Sequence, residues 1–169
     1  MVVERIPVGV VVERRPARSR WQDHVWRVTA ALPGTAEAAP WTVLDEAGGV
    51  TRYWAGTAEL VLHSGDTEVY KHNVEGAEPR LYVVLRRGAS PTGWVLLLAT
   101  VDPSEAQAHA EAGDDLLEAL PLPAALHGRV AAFVAAHHVE RRVWRRRRDR
   151  ADPEALGRRR PDILAGERR

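Results

Sequence analysis

The closest spacing of basic residues in this chain lies near its C-terminus. There one tryptophan stands among six arginines, namely Arg141, Arg142, Trp144, Arg145, Arg146, Arg147 and Arg148. Guanidinium groups at this density attract nucleic acid, anionic lipid or an acidic protein surface, because each is permanently charged and donates several hydrogen bonds. Carboxylates at Asp149 and Asp152 dilute the positive charge, which disfavours nucleic acid. The segment therefore predicts an interface for an acidic protein partner, with Trp144 as its aromatic anchor.

A second group of candidate residues combines aromatic rings with a histidine. Trp21 and Trp26 flank His24 in the run WQDHVWR, and Tyr53-Trp54 follows later in the chain. Such rings can stack on a planar ligand, but in a small β domain they more often pack in the core while their polar edge is hydrogen-bonded. We expect core packing for the tryptophans and retain ligand stacking as the alternative.

The remaining residues argue against several kinds of catalytic or metal site. The chain has no cysteine, which excludes disulfides, thiolate metal ligands and cysteine nucleophiles. No two of the seven histidines have the i, i+4 spacing of a helical metal site. The motifs G-x-S-x-G, G-x-x-x-x-G-K-[ST] and G-x-G-x-x-G are also missing. We therefore predict no catalytic residue, no metal site and no cofactor, and binding rather than catalysis.

The elements that must position the candidate residues are mostly β-strands. Two apolar runs, LYVVL and WVLLLATV, flank a turn rich in glycine and proline, which predicts a β-hairpin over Leu81–Val101. Earlier apolar runs predict strands at Ile6–Glu13, Trp21–Val28, Trp41–Leu44, Val50–Trp54 and Ala58–His63. Because no helical pattern separates these runs, we predict an antiparallel meander or partial barrel of six to seven strands.

Helix is expected to be confined largely to residues after Pro103. Asp102-Pro103-Ser104-Glu105 has the cap, the proline and the acid of a helix start, so we predict a short helix to about Ala112. From Ala124 to Trp144, apolar residues recur at helical spacing, which predicts a long amphipathic C-terminal helix. The predicted fold class is α+β and mainly β, with residues 1–148 as one domain and residues 149–169 as a basic, flexible tail.

Length and charge distribution further restrict the class of protein to which this chain can belong. Its 169 residues suit a single domain with a hydrophobic core. Residues 140–169 hold 12 arginines against 6 acidic residues, whereas residues 1–139 hold 12 basic against 17 acidic residues. The apolar run at Ile6–Val12 is too short to cross a membrane and lacks the features of a signal peptide. We therefore predict a cytoplasmic protein without a membrane span.

Several stretches of the sequence are shared with one family. They are IPVGVVVERR at 6–15, WQDHVWR at 21–27, LPG at 32–34, RYWAGTAEL at 52–60, YKHN at 70–73, EPRLYVVLRR at 78–87 and HHVERRVWRRRRDRADPEALGRRRP at 137–161. On these stretches the chain resembles a bacterial family, domain of unknown function 3305. Genes of this family tend to lie near those for molybdenum-dependent formate dehydrogenase and its maturation, and members are often labelled molybdopterin-guanine dinucleotide biosynthesis proteins.

The resemblance implies a setting for the predicted binding function. It favours a non-catalytic accessory or assembly protein whose partner is a molybdoenzyme subunit or a maturation factor. One alternative is a binder of a small anionic ligand such as a pterin nucleotide, for which the candidate residues are His24, Trp26, Arg27, Arg52 and Arg86. The other is a molybdopterin-guanine dinucleotide biosynthesis factor. Nucleotidyltransferases of that kind resemble α/β proteins with a glycine-rich N-terminal segment, whereas Ile6–Arg15 contains one glycine.

Overall fold

The strands of this chain form two antiparallel sheets in the computed structural model, which describes residues 1–111 and 113–140. The first sheet has the strand order β2-β1-β4-β3 and contains β1 (Val3–Pro16), β2 (His24–Pro33), β3 (Thr42–Ala47) and β4 (Val50–His63). The second has the order β6-β5-β7 and contains β5 (Arg80–Arg87), β6 (Trp94–Thr100) and β7 (Leu116–Pro121). The prediction of a mainly β fold with antiparallel strands is confirmed.

Three helices connect or follow the strands. α1 (Thr67–Val74) joins β4 to β5, α2 (Pro103–Ala110) joins β6 to β7, and α3 (Ala124–His137) follows β7. The carboxylate of Asp102 accepts hydrogen bonds from the backbone N–H groups of Ser104 and Glu105, so the predicted start of α2 is confirmed. None of the helices in the described residues has the length and apolarity that a membrane-spanning helix needs.

Helix is largely confined to residues from Pro103 onward, as expected, but α1 precedes the Leu81–Val101 hairpin and was not predicted. α1 has eight residues, too few to show a repeated apolar period, and its buried side chains are Thr67, Tyr70 and Val74. The strand β7 was not predicted either, since LLEALP is a short apolar run between a helix and a proline. Both elements depend on distant parts of the chain, because α1 packs against α3 and β7 pairs with β5.

The predicted long C-terminal helix is shorter than expected. The buried residues Leu126, Val130, Phe133 and Val134 follow the predicted amphipathic spacing on α3. At His138 the backbone becomes extended (φ −73°, ψ 126°), and the Nδ1 atom of this residue lies 3.2 Å from Oγ1 of Thr67. The helix therefore ends at His137, well before Trp144. The predicted domain boundary at residue 148 and the predicted tail at 149–169 lie outside the described residues.

Strand pairing departs from a simple meander. β1 pairs with both β2 and β4, and β5 pairs with both β6 and β7. The two strands predicted at Val50–Trp54 and Ala58–His63 form one strand, β4, which passes through Gly56 at φ 122°. Cα atoms of β4 and β6, and of β2 and β7, approach within 8 Å, although these strands belong to different sheets. The edges of the two sheets are therefore neighbours.

One buried cluster unites both sheets with α1 and α3. Its fully buried side chains are Ile6, Val8, Val10, Val12, Leu60, Leu62, Leu81, Val83, Leu85, Val101, Leu126 and Val130. The alternation along β1 places even-numbered residues from Ile6 to Val12 in this core, so the odd-numbered residues point to the opposite face. The residues from Met1 to Val139 form one compact unit.

Candidate functional site

A buried carboxylate lies on the outward face of β1. Glu13 follows the core residue Val12 and so points away from the core, yet its side chain is only 3 % exposed. The Nε of Arg15 donates a hydrogen bond to its Oε1, and the Nε of Arg52 donates one of 3.2 Å to its Oε2. These two guanidinium groups, Arg15 first, hold the pKa of Glu13 below its ordinary value of 4.5. Glu13 thus stays ionised and holds two arginines in place.

Arginines from three neighbouring strands share this face. The strand register places Glu13 opposite Arg27 of β2 and opposite Arg52 of β4, and cross-strand neighbours point to the same side of a sheet. We call Arg15, Arg27 and Arg52 the arginine face; their side chains are between 50 and 65 % exposed. Each guanidinium has five donors, so most of their N–H groups can still reach the carboxylates of a partner.

The arginine face is partly neutralised by its own surroundings. The Nη1 of Arg52 donates to Oδ2 of Asp45 on β3 at 3.2 Å, and the Nε of Arg27 lies 3.5 Å from Oε1 of Glu118 on β7. These contacts are solvent-accessible, so they fix side-chain directions more than they stabilise the fold. The face can recognise carboxylates, and no group in it is arranged for proton transfer to a substrate among the described residues.

Aromatic rings pack on the opposite side of the same strands. The ring centroids of Trp26, Trp41 and Tyr53 lie 5.7 to 6.4 Å apart, and the guanidinium of Arg14 lies 5.9 Å from the Trp26 ring and 5.8 Å from the Tyr53 ring. Trp41 and Tyr53 belong to the buried core. Burial is therefore confirmed for Trp41, Trp54 and Trp94, but Trp54 lies outside the main cluster and Nε1 of Trp94 has no hydrogen-bond partner among the described residues.

Trp21 contradicts that expectation, because its side chain is 92 % exposed. It lies in the loop that joins β1 to β2, between the strand ends at Pro16 and His24. Its indole makes no ring contact with a described residue. The reason lies in the register: β2 begins at His24, so the predicted strand start at Trp21 falls in the loop instead.

The five residues predicted for an anionic ligand occupy different surroundings. Arg27 and Arg52 lie on the arginine face, Trp26 lies on the side of the core, and His24 is exposed at the start of β2. Arg86 lies on β5 of the second sheet, where its Nε and Nη2 donate to the carboxylate of Asp115 at 3.0 and 2.7 Å. The structure thus joins two of the five and separates the others.

The ion pair between Arg86 and Asp115 shifts the pKa of both side chains. Hydrogen bonds from Arg86 lower the pKa of Asp115 below its ordinary value of 3.8, and the same contact raises the pKa of Arg86. The Nη2 of Arg86 also lies 3.4 Å from Nδ1 of His109 on α2. This pair ties the second sheet to α2 and the segment before β7, so it serves the fold.

The run YKHN also has a structural role. The amide of Asn73 donates to the carbonyl oxygens of Arg80 at 2.8 Å and Val101 at 2.7 Å, and its oxygen accepts from the backbone N–H of Arg80 at 2.8 Å. One side chain at the end of α1 therefore satisfies backbone groups at the start of β5 and just after β6. Asn73 of this run therefore holds the end of α1 against both strands.

An acidic cavity of about 550 Å³ lies where β4 approaches β6. Its lining includes the carboxylates and other polar groups of Glu59, His63, Asp66, Tyr70, Asp102 and Glu105. The hydroxyl of Tyr70 accepts a hydrogen bond of 3.2 Å from the backbone N–H of His63, and burial raises the pKa of Tyr70 above its ordinary value of 10.0. Nδ1 of His63 is buried without a hydrogen-bond partner among the described residues. In residues 1–111 and 113–140, no three His, Asp or Glu side chains are grouped so as to hold a metal ion.

Sequence reasoning missed the acidic cavity and the central role of Glu13. The residues that line the cavity come from β4, from β6 and from the starts of two helices. Their positions in the sequence follow no regular spacing, so no sequence pattern indicates the cavity. For Glu13 the sequence carries no such signal, because the run VGVVV at 8–12 does not alternate between apolar and polar residues, and the two faces of β1 are distinguished only by burial in the structure. The predicted partner-binding residues Arg141, Arg142, Trp144, Arg145, Arg146, Arg147 and Arg148 lie outside the described residues.

The comparisons with known proteins give one match. Searches of curated proteins and of solved structures find none. The model of one family, described as "Protein of unknown function (DUF3305)", matches residues 7–148. This range covers all the strands of both sheets except the first residues of β1, and it includes the arginine face. The chain belongs to the DUF3305 family.

Proposed function

We propose that this chain is a non-catalytic accessory or assembly protein that binds an acidic protein in the cytoplasm. The observation that carries the proposal is the arginine face, where three half-exposed guanidinium groups from β1, β2 and β4 lie on one surface, Arg15 and Arg52 against Glu13 and Arg27 against Glu118. A surface of this kind recognises carboxylates through charge and hydrogen-bond geometry and needs no chemistry. The sequence after Glu140 adds Arg141, Arg142 and Arg145–Arg148.

The partner is proposed to be a subunit or a maturation factor of a molybdenum-dependent oxidoreductase such as formate dehydrogenase. The support for this pathway is the gene setting that the family resemblance implies. The support for an acidic partner is the charge of the surfaces named above. The cluster Arg141–Arg148, with Trp144 inside it, is proposed as the main contact, because an aromatic side chain within a basic run supplies an apolar anchor.

The first experiment is affinity purification from the native host, with bound proteins and small molecules identified by mass spectrometry. We expect a dehydrogenase subunit or one of its maturation factors. Replacing Arg145, Arg146, Arg147 and Arg148 with glutamate should then weaken capture by reversing the local field, and capture by the unchanged chain should weaken as salt rises. The same change at Arg158, Arg159 and Arg160 is the control and should have the smaller effect.

Two results would sink the proposal. One is transfer of a guanylyl group to molybdopterin by the purified chain, which would make it an enzyme of molybdopterin-guanine dinucleotide biosynthesis. The other is full maturation of the dehydrogenase in a host that carries only the charge-reversed protein.

The second candidate function is binding of a small anionic ligand such as a pterin nucleotide. The observation that favours it is that Arg27 and Arg52 lie on one face and keep free N–H donors. Protein purified from the native host would then retain a chromophore or a nucleotide, and replacing both arginines with glutamine would remove it. Clean apo-protein that co-purifies with a dehydrogenase subunit would favour the accessory function instead.

A further inference from the structure

The loop between β1 and β2 exposes a large aromatic side chain. Trp21 is 92 % exposed, the highest exposure among the tryptophans that the structure describes. An indole combines a large apolar surface with one N–H donor and has few rotatable bonds, so it is a frequent anchor of protein interfaces. At this exposure the indole contributes almost no buried area to the fold, so its apolar surface is available to a partner.

Hydrogen bonds order the backbone of the loop that carries Trp21. The backbone N–H of Ala17 donates to the carbonyl oxygen of Asp23 at 3.0 Å, which closes the loop just beyond the last strand pair, Pro16 with His24. Inside it, the N–H of Trp21 donates to Oγ of Ser19 at 3.2 Å. A preorganised loop loses little conformational freedom on binding, which favours its use as a docking element.

The surroundings of Trp21 are cationic. Arg18 and Arg20 are exposed and form no ion pair with a described residue, and Asp23 is the one acidic residue of the loop. Arg15 is adjacent, and the strand register pairs it with Val25, whose apolar side chain is 41 % exposed. The end of this hairpin thus offers an aromatic anchor, an apolar neighbour and a positive rim.

We infer that the hairpin end formed by Arg15, Arg18, Arg20, Trp21 and Val25 docks on an acidic protein, with Trp21 entering an apolar recess bordered by carboxylates. The inference rests on the proposed binding function and assigns part of the contact to residues outside the C-terminal cluster.

The observations favour a protein over the other polyanions. An anionic membrane is held by several apolar side chains or by two separate anchoring signals, whereas this loop has one large apolar side chain followed directly by Gln22 and Asp23. Nucleic acid needs a continuous surface of available cations. Here the carboxylates of Glu13, Asp45 and Glu118 lie among Arg15, Arg27 and Arg52 and interrupt the positive surface.

The experiment places a photo-crosslinking residue, p-benzoylphenylalanine, at position 21 of the full chain in the native host. The matched control carries it at Leu32, which is 51 % exposed at the far end of β2. We expect one protein to crosslink from position 21 and not from position 32, with an acidic peptide at the crosslink. In binding measurements with that purified protein, Trp21→Ala should weaken affinity at least ~10-fold, and Leu32→Ala less than about 2-fold. Arg18→Gln with Arg20→Gln should reduce the salt dependence of binding.

Several results would overturn the inference. A crosslink from position 21 to RNA or DNA would do so, as would tight binding to vesicles of anionic phospholipid that Trp21→Ala abolishes. So would the absence of any crosslinked protein, or a crosslinked protein whose affinity for the chain is unchanged by Trp21→Ala. The proposed function fails separately. A dehydrogenase factor that co-purifies without crosslinking at position 21 removes the hairpin contact alone, and an acidic crosslinked protein from another pathway removes the proposed pathway alone.

Discussion

Glu13 is the side chain whose surroundings differ most from what its type suggests. A carboxylate that is 3 % exposed loses most of its hydration, and the fold compensates with two guanidinium groups, one two residues away and one from β4. Because Arg15 and Arg52 are at least half exposed, water screens part of their attraction to Glu13. The carboxylate therefore orders the arginine face more than it stabilises the protein.

Replacing Glu13 with glutamine should lower the free energy of unfolding by about 1–2 kcal/mol, because two arginines lose their charged acceptor. The control is Glu59→Gln, which removes an exposed ion pair with Arg5 and should cost less than about 0.5 kcal/mol. Urea denaturation of both variants measures the difference. Equal losses would mean that the burial of Glu13 carries no energetic weight.

The pH dependence of unfolding follows from the same carboxylate. The pKa of Glu13 is lower in the folded chain than its ordinary value of 4.5, so the stabilisation is complete above that pH and is lost as pH falls through the lowered pKa. Between about pH 6 and about pH 3, the original chain should therefore lose more stability than Glu13→Gln. Parallel curves for the two proteins would contradict the assignment.

At the scale of elements, β1 is the strand on which the first sheet depends. It pairs along its length with β4 and with β2, and it packs one side into the core. On its other side, Gly9 lies directly beneath the indole of Trp54, where a Cβ atom would overlap the ring. The backbone torsion of Gly9 is ordinary, so glycine is needed here because the Trp54 ring approaches closely and not because of the backbone conformation.

Gly9→Ala should destabilise the protein by about 1–3 kcal/mol, because the ring of Trp54 must move from a buried position. Gly65→Ala is the matched control. No atom lies within 4 Å of a Cβ at that position, so the change should stay within about 0.5 kcal/mol. Thermal unfolding of the two variants decides the point, and similar melting temperatures would show that Trp54 adapts without cost.

At the scale of the whole molecule, the core residues that the structure describes lie within the unit from Met1 to Val139. The C-terminal segment rich in arginine contributes Leu156, Ile163 and Leu164 but no periodic apolar face. Folding is therefore not expected to depend on this segment, whereas partner binding is proposed to use both the folded body and the Arg141–Arg148 cluster.

A chain that ends at residue 152 should keep its melting temperature nearly unchanged, because the removed residues form no periodic apolar face in the sequence. Calorimetry of the full and shortened chains measures this. A loss of more than about 2 kcal/mol in the free energy of unfolding would show that the removed residues pack on the body.

Local patterns in the sequence were sufficient for a large part of the fold. The hairpin at Leu81–Val101 appears as β5 and β6, because two apolar runs and a glycine-proline turn lie next to each other in the chain. Asp102 caps α2 as expected, since its carboxylate accepts from the backbone N–H groups of Ser104 and Glu105, which lie within three residues. Strand, turn and cap signals are read from neighbours along the chain.

Contacts between distant segments decided the rest. Arg52 and Glu13 are 39 residues apart, and only the pairing of β4 with β1 makes them neighbours. α3 ends at His137, where the following residue turns toward Thr67 of α1, 71 residues earlier. The sequence by itself determined the β-rich composition, the main hairpin and the start of α2, because these depend on local periodicity. The tertiary structure decided the sheet order, the burial of Glu13 and the exposure of Trp21, because a side chain's surroundings depend on which strands pair with its own.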